Sequence, residues 1–261
     1  MAHDQYEQNG SIFVEEVFDP KEFKLISEYI QMLFNNHEVI QNYPWIPSAV
    51  LIGNESSSHS MGFTGVVSIT KVELIDYMMT IIQPKIESIV GIKILPKNHF
   101  IRCHTQDTLG CPLPYHVDHT GNDVNMTINL LCDDINKQWP IYVSTLDAEV
   151  SEYTTEENQG VLYGGKYPHW RNAYPGGTYI QLFLHYVRED NPASKWCRWN
   201  SNVWGEVSDI DPKTIADSDN PNNFGVKNWE LYKYLKQHMQ IDSIDPHVEA
   251  DYHNQMNNDK N

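Results

Sequence analysis

Short runs of β-forming residues fill residues 92–188, the part of the chain that most restricts its fold. Seven runs fit strands, at 92–95, 99–104, 124–132, 139–145, 149–153, 160–163 and 178–187. Residues typical of turns separate them. Many short strands punctuated in this way favour a sandwich or a jelly roll over a parallel α/β sheet. We therefore expect a mainly β fold of the sandwich or jelly-roll kind.

A helix is predicted ahead of these strands, over residues 20–35, and a short strand at 12–18 precedes it. Asp19 is a favourable N-cap, and Pro20 suits the first helical position, where a missing N–H costs nothing. Apolar residues then recur at spacings of three and four. One face of this helix can therefore pack against a core.

A second helix is predicted after a strand at 61–69. Thr70 and Glu73 have the spacing of a capping box, which would start the helix there. Pro84 lacks an N–H donor and should kink or divide the helix before residues 86–90. Helices followed by many strands make the predicted fold class α+β, mainly β.

Length and charge limit the organisation and the partners. The chain has 261 residues and a formal net charge of −17, from 18 Lys and Arg against 35 Asp and Glu. Such a length suits one main domain, residues 1–200, with a C-terminal extension, residues 201–261. A chain this acidic, without a basic run, repels a phosphate backbone, so we expect no nucleic-acid partner.

The extension is predicted to be partly helical, at 228–239, and to end in a disordered tail with few apolar residues. Three tryptophans are candidates to hold it on the main domain: Trp196, Trp199 and Trp204. The four cysteines, at positions 103, 111, 132 and 197, form no Cys-x-x-Cys pair, so free thiols are expected. Residues 1–10 are polar and acidic and lack the apolar core of a signal peptide, and no later stretch approaches roughly 18 apolar residues. We expect no membrane association and a cytoplasmic location.

His116 and Asp118 stand two residues apart in a segment predicted to be extended. Side chains at i and i+2 of such a segment point to the same side, so an imidazole and a carboxylate would face together. They are two thirds of the triad of two His and one carboxylate that binds non-haem Fe(II) and leaves coordination positions open. His169, after an apolar run and a Gly-Gly pair, is the candidate third ligand.

These residues belong to an ordered set that resembles the Fe(II)- and 2-oxoglutarate-dependent dioxygenases of the prolyl-hydroxylase-like kind. The set is His116-x-Asp118, Trp139-Pro140-Ile141-Tyr142-Val143, Leu162-Tyr163-x-Gly165, His169-Trp170-Arg171 and Gln181-Leu182-Phe183-Leu184-His185-Tyr186-Val187. The resemblance covers about residues 98–188. It implies a double-stranded β-helix, a jelly-roll or cupin-like fold, with its core at 92–188 and bracing helices at 19–91.

The resemblance also implies an activity. His116, Asp118 and His169 would be the catalytic, metal-binding residues, and Fe(II), 2-oxoglutarate, O2 and ascorbate the implied cofactors. Hydroxylation of a prolyl residue or a small molecule would accompany release of succinate and CO2. Four aromatic residues near the expected mouth of the site could hold such a small-molecule or peptide substrate or could be ordinary packing residues: Tyr115, Tyr167, Trp170 and Tyr174.

The distal carboxylate of 2-oxoglutarate needs a cation or a dense set of donors. Many members of the family carry Arg or Lys nine to eleven residues after the distal His, but residues 178–180 here are Thr, Tyr and Ile. Arg171 is the first candidate to replace that cation, and Arg102 is the second. Three further residues are candidates for contacts with the co-substrate: His104, Thr127 and Tyr179.

Several alternatives stay open. The polar residues at 125, 127 and 129 alternate with apolar ones, which fits either a solvent-exposed face or the lining of a co-substrate pocket. His119 competes with His116 as a ligand, although strand alternation turns it away, and His185 competes with His169. Zinc hydrolases also use two His and one carboxylate, but no His-Glu-x-x-His motif is present. A cupin-like or non-catalytic jelly-roll protein that does not use 2-oxoglutarate is the alternative function.

Overall fold

The structure is a computed structural model that describes residues 2–36, 50–52, 66–70, 72–118, 121–134, 136, 138–191, 194 and 225–258. The elements, in chain order, are α1 (Ala2–Asn9), β1 (Ser11–Val14), α2 (Pro20–Asn35), β2 (Val50–Ile52), β3 (Val67–Thr70), α3 (Glu73–Val90), β4 (Ile94–His104), β5 (Leu113–His116), β6 (Val124–Cys132), β7 (Ile141–Ser144), β8 (Val150–Tyr153), β9 (Gly160–Gly164), β10 (His169–Arg171), β11 (Tyr179–Arg188), α4 (Gly225–His238) and α5 (Pro246–Asn258). A short 3₁₀-helix, Gln106–Thr108, precedes β5.

The described strands form two antiparallel sheets. The large sheet has the order β1-β9-β6-β11-β4-β3-β2, and the small sheet has the order β5-β10-β7-β8. Side chains between the sheets pack together, with Ile141 and Val143 of β7 against Val161 and Tyr163 of β9. The mainly β, two-sheet architecture predicted from the sequence is therefore confirmed.

The outer face of the large sheet carries the main hydrophobic core. Met126, Ile128 and Leu130 of β6 join Leu182 and Leu184 of β11 in one buried cluster, together with apolar residues of α2 and α3. Each such side chain contributes about 1.5–3 kcal/mol when it is fully buried. Helices α2 and α3 brace this sheet, as the family resemblance implies.

The first of these helices begins as predicted. The Asp19 side chain accepts a hydrogen bond from the N–H of Lys21, and the Glu22 side chain accepts one from the N–H of Asp19 at 3.2 Å. Donors that would be left unpaired at the helix start are thereby satisfied.

The predicted capping box at Thr70 and Glu73 is wrong. Thr70 is the last residue of β3, where it pairs with Phe100, and the N-cap of α3 is Val72. The N–H of Val72 donates instead to Nε2 of His99, at 2.9 Å. A side chain from a neighbouring strand thus satisfies the helix start, which spacing along the chain could not reveal.

The predicted division of the second helix at Pro84 is also wrong, because α3 runs without a break through Pro84 to Val90. Ile82 and Ile86, on either side of Pro84, are buried in the core. Their packing offsets the hydrogen bond that the proline removes. The helix ends at Gly91, whose φ of 74° suits glycine.

Three further elements differ from their predicted extents. The runs predicted at 92–95 and 99–104 form one strand, β4, which pairs with β11 throughout and carries one irregularity opposite His185 and Tyr186. β1 covers only the start of the predicted strand at 12–18, and β3 covers the end of the one at 61–69, of which residues 61–65 lie outside the described residues. Helix α1 was not predicted, since its composition is polar and only Tyr6 is buried.

The C-terminal extension is ordered where the structure describes it. Helix α4 matches the predicted helix at 228–239, whereas α5 occupies most of the tail predicted to be disordered. Helix α5 packs on α4 through Val248 and through the ring of Tyr252, which lies 5.7 Å from that of Trp229. The three tryptophans at 196, 199 and 204 lie outside the described residues, and the division at residue 200 stays a prediction.

Two features predicted from the sequence, the lack of a membrane-spanning stretch and the free cysteines, can be compared with the described residues. No helix within the described ranges is both long and apolar enough to cross a bilayer. Cys103, Cys111 and Cys132 are free, as expected, while the fourth cysteine lies outside the described residues.

Candidate metal centre

Two histidines and one carboxylate converge between the sheets. His116, Asp118 and His169 each offer one ligand atom, and these atoms lie within 4.8 Å of one another. Nε2 of His116 is 3.8 Å from Oδ1 of Asp118, and Nε2 of His169 is 3.7 Å from its Oδ2. No other group of three potential ligands occurs in the part of the chain that the structure describes. The arrangement has the chemistry of a facial triad.

Strand pairing brings the two histidines together. His116 is the last residue of β5, His169 is the first of β10, and the two are register partners with ring centroids 4.2 Å apart. Asp118 follows the end of β5, so the extended arm is shorter than predicted. Its backbone N–H donates to the carbonyl of Gly165 at 3.0 Å, which holds this segment against the chain entering β10.

Both imidazoles present the same nitrogen to the cluster. Nδ1 of His116 is 2.7 Å from the carbonyl oxygen of Pro114, and Nδ1 of His169 is 3.1 Å from that of Tyr167. Because a carbonyl oxygen only accepts, each Nδ1 carries the hydrogen, and the lone pair of each Nε2 points toward the cluster. Burial lowers the pKa of both histidines to about 4, which keeps them neutral near pH 7.

A buried cation lies near the triad. Arg171 is two residues beyond His169 on β10 and is 1% exposed. Its guanidinium lies 5.0 Å from the ring centroid of Trp139 and 5.8 Å from that of Tyr179, and its Nη1 donates to the Trp139 carbonyl. Nε and Nη2 are buried without a hydrogen-bond partner among the described residues. Burial lowers the pKa of Arg171. Unpaired buried donors on a charged group are costly, so this environment suits an anion.

The other candidates for co-substrate contacts also face the space between the sheets. His104 and Tyr179 are register partners, and the Tyr179 hydroxyl lies 3.2 Å from Oγ1 of Thr155. Burial, aided by Arg102 and Arg171, lowers the pKa of His104 to about 3, so its imidazole is neutral. The Arg102 guanidinium lies over two aromatic rings, those of Phe100 and Phe183, at 4.8 and 5.5 Å.

The polar face of β6 is buried. Asn125, Thr127 and Asn129 are each at most 1% exposed, so the solvent-exposed alternative is wrong. Oγ1 of Thr127 accepts a hydrogen bond from Nε2 of Gln181, and Nδ2 of Asn129 donates to the carbonyl of Thr155 at 2.8 Å. These strands therefore have a second buried face, which is polar.

Two residues that were not named as candidate site residues also lie at the site. The ring of Tyr163 is 4.5 Å from that of His169. Burial and the charge of Asp118 raise the pKa of Tyr163 well above its usual value, against the opposing effect of Arg171 and Arg102. Its hydroxyl thus lies within the field of both the triad and the arginines. Tyr163 belongs to the ordered set of motifs, and that membership could have identified it as a site residue.

The second residue is Asn125, whose Nδ2 donates to Oδ2 of Asp118 at 2.6 Å. From the sequence, Asn125 was one of three alternating polar residues that could either face solvent or line a co-substrate pocket. His185, the alternative distal ligand, contacts Asn125 through its Nδ1 at 2.7 Å and does not belong to the cluster. His119 lies outside the described residues.

Of the two alternatives for Tyr115 and Trp170, packing is the one that the structure shows. Each is the sequence neighbour of a histidine of the cluster, so strand alternation turns it to the opposite face of the small sheet. Both are fully buried there, packed against Tyr232 and other residues of the C-terminal helices. Tyr174 packs beside His104, 5.3 Å away, and Tyr167 packs against the cluster around Tyr163.

The fold is shared with a class of solved structures. Two packed antiparallel sheets with this arrangement of strands form the double-stranded β-helix of 2-oxoglutarate–Fe(II) oxygenases, and solved structures of that class match this chain. The predicted double-stranded β-helix is therefore confirmed. It is the class that the ordered motifs resemble.

The matching structures include an epimerase, EctD and a prolyl-4-hydroxylase. The epimerase SnoN, solved with Fe3+, alpha ketoglutarate and nogalamycin RO, has a TM-score of 0.52 at 11% identity, over 72% of this chain and 82% of its own. EctD from S. alaskensis, solved with 2-oxoglutarate and 5-hydroxyectoine, has a TM-score of 0.54 at 12% identity, over 71% and 74%. A Pseudomonas putida prolyl-4-hydroxylase has a TM-score of 0.52 at 11% identity, over 72% and 97%.

No family model matches the sequence, and no curated protein matches it. At identities of 11–12%, the three likenesses establish the fold and leave the reaction to be argued from the site.

Proposed function

We propose that the protein is an Fe(II)- and 2-oxoglutarate-dependent oxygenase. The observation that carries the proposal is the convergence of His116, Asp118 and His169, with both Nδ1 atoms engaged by carbonyl groups and both Nε2 lone pairs directed into the cluster. Two imidazoles and one carboxylate are the ligand set that non-haem Fe(II) uses in oxygenases. In this proposal, these three residues are the metal ligands and the catalytic residues.

The environment of Arg171 supports 2-oxoglutarate as the co-substrate. Its two unpaired buried donors would bind the distal carboxylate, while the Tyr179 hydroxyl and the Thr127 hydroxyl would supply further hydrogen bonds. His104, neutral by burial, and Arg102 complete the set of candidate contacts. The cation would thus come from the strand of the distal histidine, two residues beyond it, and not from the following strand.

Bound Fe(II) and 2-oxoglutarate would use O2 to couple decarboxylation to succinate and CO2 with hydroxylation of a substrate C–H bond. The residues of this chain bind and orient those groups, and the two packed sheets exclude water around them. We propose a prolyl residue or a small molecule as the substrate. The net charge of −17 disfavours nucleic acid.

The second candidate function is a cupin-like or non-catalytic metal-binding protein that does not use 2-oxoglutarate. The observation that favours it is the absence of a basic residue at positions 178–180. It predicts that iron binds to the triad but that 2-oxoglutarate does not bind beside it.

An anaerobic titration separates the two functions. Fe(II) and then 2-oxoglutarate are added to the apoprotein while the visible charge-transfer band of the chelate is monitored, and succinate is measured after air is admitted. The oxygenase proposal expects a band that requires both components and is absent in His169→Ala. The matched control is His253→Ala, an exposed histidine on α5, which should behave like the wild type.

Iron binding without the band would support the cupin-like function. Retention of iron by both His169→Ala and Asp118→Ala would contradict the proposed ligand set altogether.

A further inference from the structure

The Asn125 amide contacts Asp118, and both of its polar atoms have hydrogen-bond partners. It is fully buried on β6, and its Nδ2 donates to Oδ2 of Asp118 at 2.6 Å and to the carbonyl of Asn122 at 3.3 Å. Its Oδ1 lies 2.7 Å from Nδ1 of His185. An amide with fixed partners on both sides cannot rotate freely, so it can fix the group that it touches.

The partners decide which way the amide faces. A carboxylate only accepts, so the NH2 group of Asn125 points to Asp118, and its Oδ1 then points to His185. Nδ1 of His185 must therefore carry a hydrogen. His185 is itself fixed, because it is the register partner of Asn125 and its ring stacks 5.2 Å from that of Phe100.

A glycine makes room for this contact. A Cβ atom at Gly165 would lie 1.7 Å from the carbonyl oxygen of Asn122 and 3.1 Å from Nδ2 of Asn125. Gly165 also accepts the backbone hydrogen bond of Asp118. The close approach of these segments therefore requires glycine here, which gives the Gly-Gly pair before His169 a structural reason.

We propose that Asn125 is a positioning residue that holds the Asp118 carboxylate in its metal-binding orientation, and that His185 fixes the Asn125 amide. Asp118 lies beyond the end of β5, so strand pairing does not fix its side chain. The hydrogen bond to Oδ2 restricts rotation of the carboxylate and leaves Oδ1 facing His116. Partners of this kind tune metal affinity in other proteins by 10–100-fold. The inference rests on the proposed metal site.

The test measures metal affinity and does not depend on turnover. Fe(II) and Co(II) are titrated anaerobically into the protein without 2-oxoglutarate, by calorimetry and by the Co(II) visible spectrum. Asn125→Ala should weaken binding by about 10–100-fold and change the Co(II) spectrum. The matched control is Asn129→Ala, which alters the same residue type on the same buried face, with its Nδ2 bonded to the Thr155 carbonyl. It should leave both readouts unchanged.

A second variant tests the role of His185. His185→Phe keeps a ring to stack on Phe100 but removes the Nδ1 donor, so it should weaken metal binding less than Asn125→Ala does. The double variant Asn125→Ala/His185→Phe should bind metal as weakly as Asn125→Ala alone, because His185 is proposed to act only through Asn125.

The outcomes separate this inference from the proposed function. A wild-type protein that binds no metal would overturn the proposed function and this inference with it. Wild-type binding with unchanged affinity in folded Asn125→Ala, or an equal loss in Asn129→Ala, would overturn the inference alone. If Asn125→Ala does not fold, unchanged affinity in His185→Phe would overturn the link between His185 and the metal.

Discussion

On strands β6 and β11 of the large sheet, both faces are buried and they are chemically opposite. On β11, Leu182 and Leu184 are fully buried against the helices, while Gln181 and His185, which alternate with them, are 1% and 3% exposed on the inner face. At Leu182 and Leu184, the outer face is satisfied by packing alone. The inner face needs a hydrogen-bond partner for every polar atom, because an unpaired buried donor costs about 1–3 kcal/mol.

The difference shows where a ligand is needed. On the inner face, Thr127 pairs with Gln181, and Asn125 pairs with both Asp118 and His185. Arg171, which faces the same space from the small sheet, has two donors without a partner among the described residues. Burial alone would rank both faces as core, whereas hydrogen-bond accounting separates a packing face from a binding face.

The largest effect is expected on the outer face. Leu182→Ala removes a fully buried side chain from the main cluster and should lower the free energy of unfolding by about 2–5 kcal/mol. Its affinity for Fe(II) should not change, since the side chain points away from the triad. Urea unfolding and metal titration measure the two quantities.

The informative result for Leu182→Ala is a lower free energy of unfolding together with an unchanged affinity for Fe(II). Loss of metal affinity at a temperature where the variant is fully folded would mean that the two faces are not independent. The comparison between them would then fail.

On the inner face, Arg171→Met should have the opposite signature. It removes a buried charge with two unpaired donors, so the unfolding free energy of the protein without ligand should stay the same or rise. Affinity for 2-oxoglutarate should fall by about 100-fold, or about 3 kcal/mol, because the distal carboxylate loses its charged partner. Equilibrium binding to the Fe(II)-loaded protein measures this change.

Arg102→Met is the comparison for this variant. Arg102 is partly exposed and lies over the rings of Phe100 and Phe183. A larger loss of 2-oxoglutarate affinity in Arg102→Met than in Arg171→Met would transfer the anchoring role to Arg102.

The pattern along single elements was readable from the sequence. Strand runs, the helix at Pro20–Asn35 and the spacing of His116 and Asp118 depend on residues close in the chain, and the structure contains them. The ordered motifs led to His169 because they specify which strands follow one another. Register then places His169 opposite His116.

Features that depend on partners from other elements were not readable. At the start of α3, the N–H of Val72 donates to His99 of β4, and Pro84 is accommodated by packing on the sheet. The tail predicted to be disordered is helical because Val248 and Tyr252 pack on α4. Composition indicates how much apolar surface a segment can bury by itself, but it does not show which residues of other segments will pack against it.

The site shows the same limit. Alternation in β6 left two environments open for Asn125, Thr127 and Asn129, since period two shows that the faces differ but not what covers them. The covering small sheet is a long-range feature. Because side chains alternate between the two faces of the small sheet, Tyr115 and Trp170 lie on the face away from the site, although they adjoin His116 and His169 in the chain.

A smaller effect is expected where one hydroxyl is removed from the inner face. Thr127→Val keeps the shape of the side chain but deletes the acceptor for Gln181, and it should lower 2-oxoglutarate affinity by up to about tenfold, near 1 kcal/mol. Ile128→Val, the next residue on the opposite face, should lower the unfolding free energy by about 0.5–1.5 kcal/mol without changing that affinity. Equal losses of affinity in both variants would contradict the distinction between the faces.

The smallest expected effect is a difference in pH dependence between the faces. His104 is buried on the inner face, near Arg102 and Arg171 and packed with Trp139 and Tyr174, and its pKa is lowered to about 3. The unfolded chain binds a proton at this position as the pH falls through about 6.5, whereas the folded chain does not until about pH 3. The stability that a neutral His104 retains above pH 6.5 is therefore lost as the pH falls toward 3.

Between pH 7 and pH 6 this loss should be under about 1 kcal/mol, because one proton changes the unfolding free energy by at most about 1.4 kcal/mol per pH unit. His104→Gln has no group that titrates there, so its unfolding free energy should fall less than that of the wild type. Leu182→Ala should shift the whole curve downward and leave its slope unchanged, since the outer face at that point is apolar. Parallel curves for wild type and His104→Gln would mean that His104 titrates alike in the folded and unfolded chain. The pH dependence predicted for His104 on the inner face would then be contradicted.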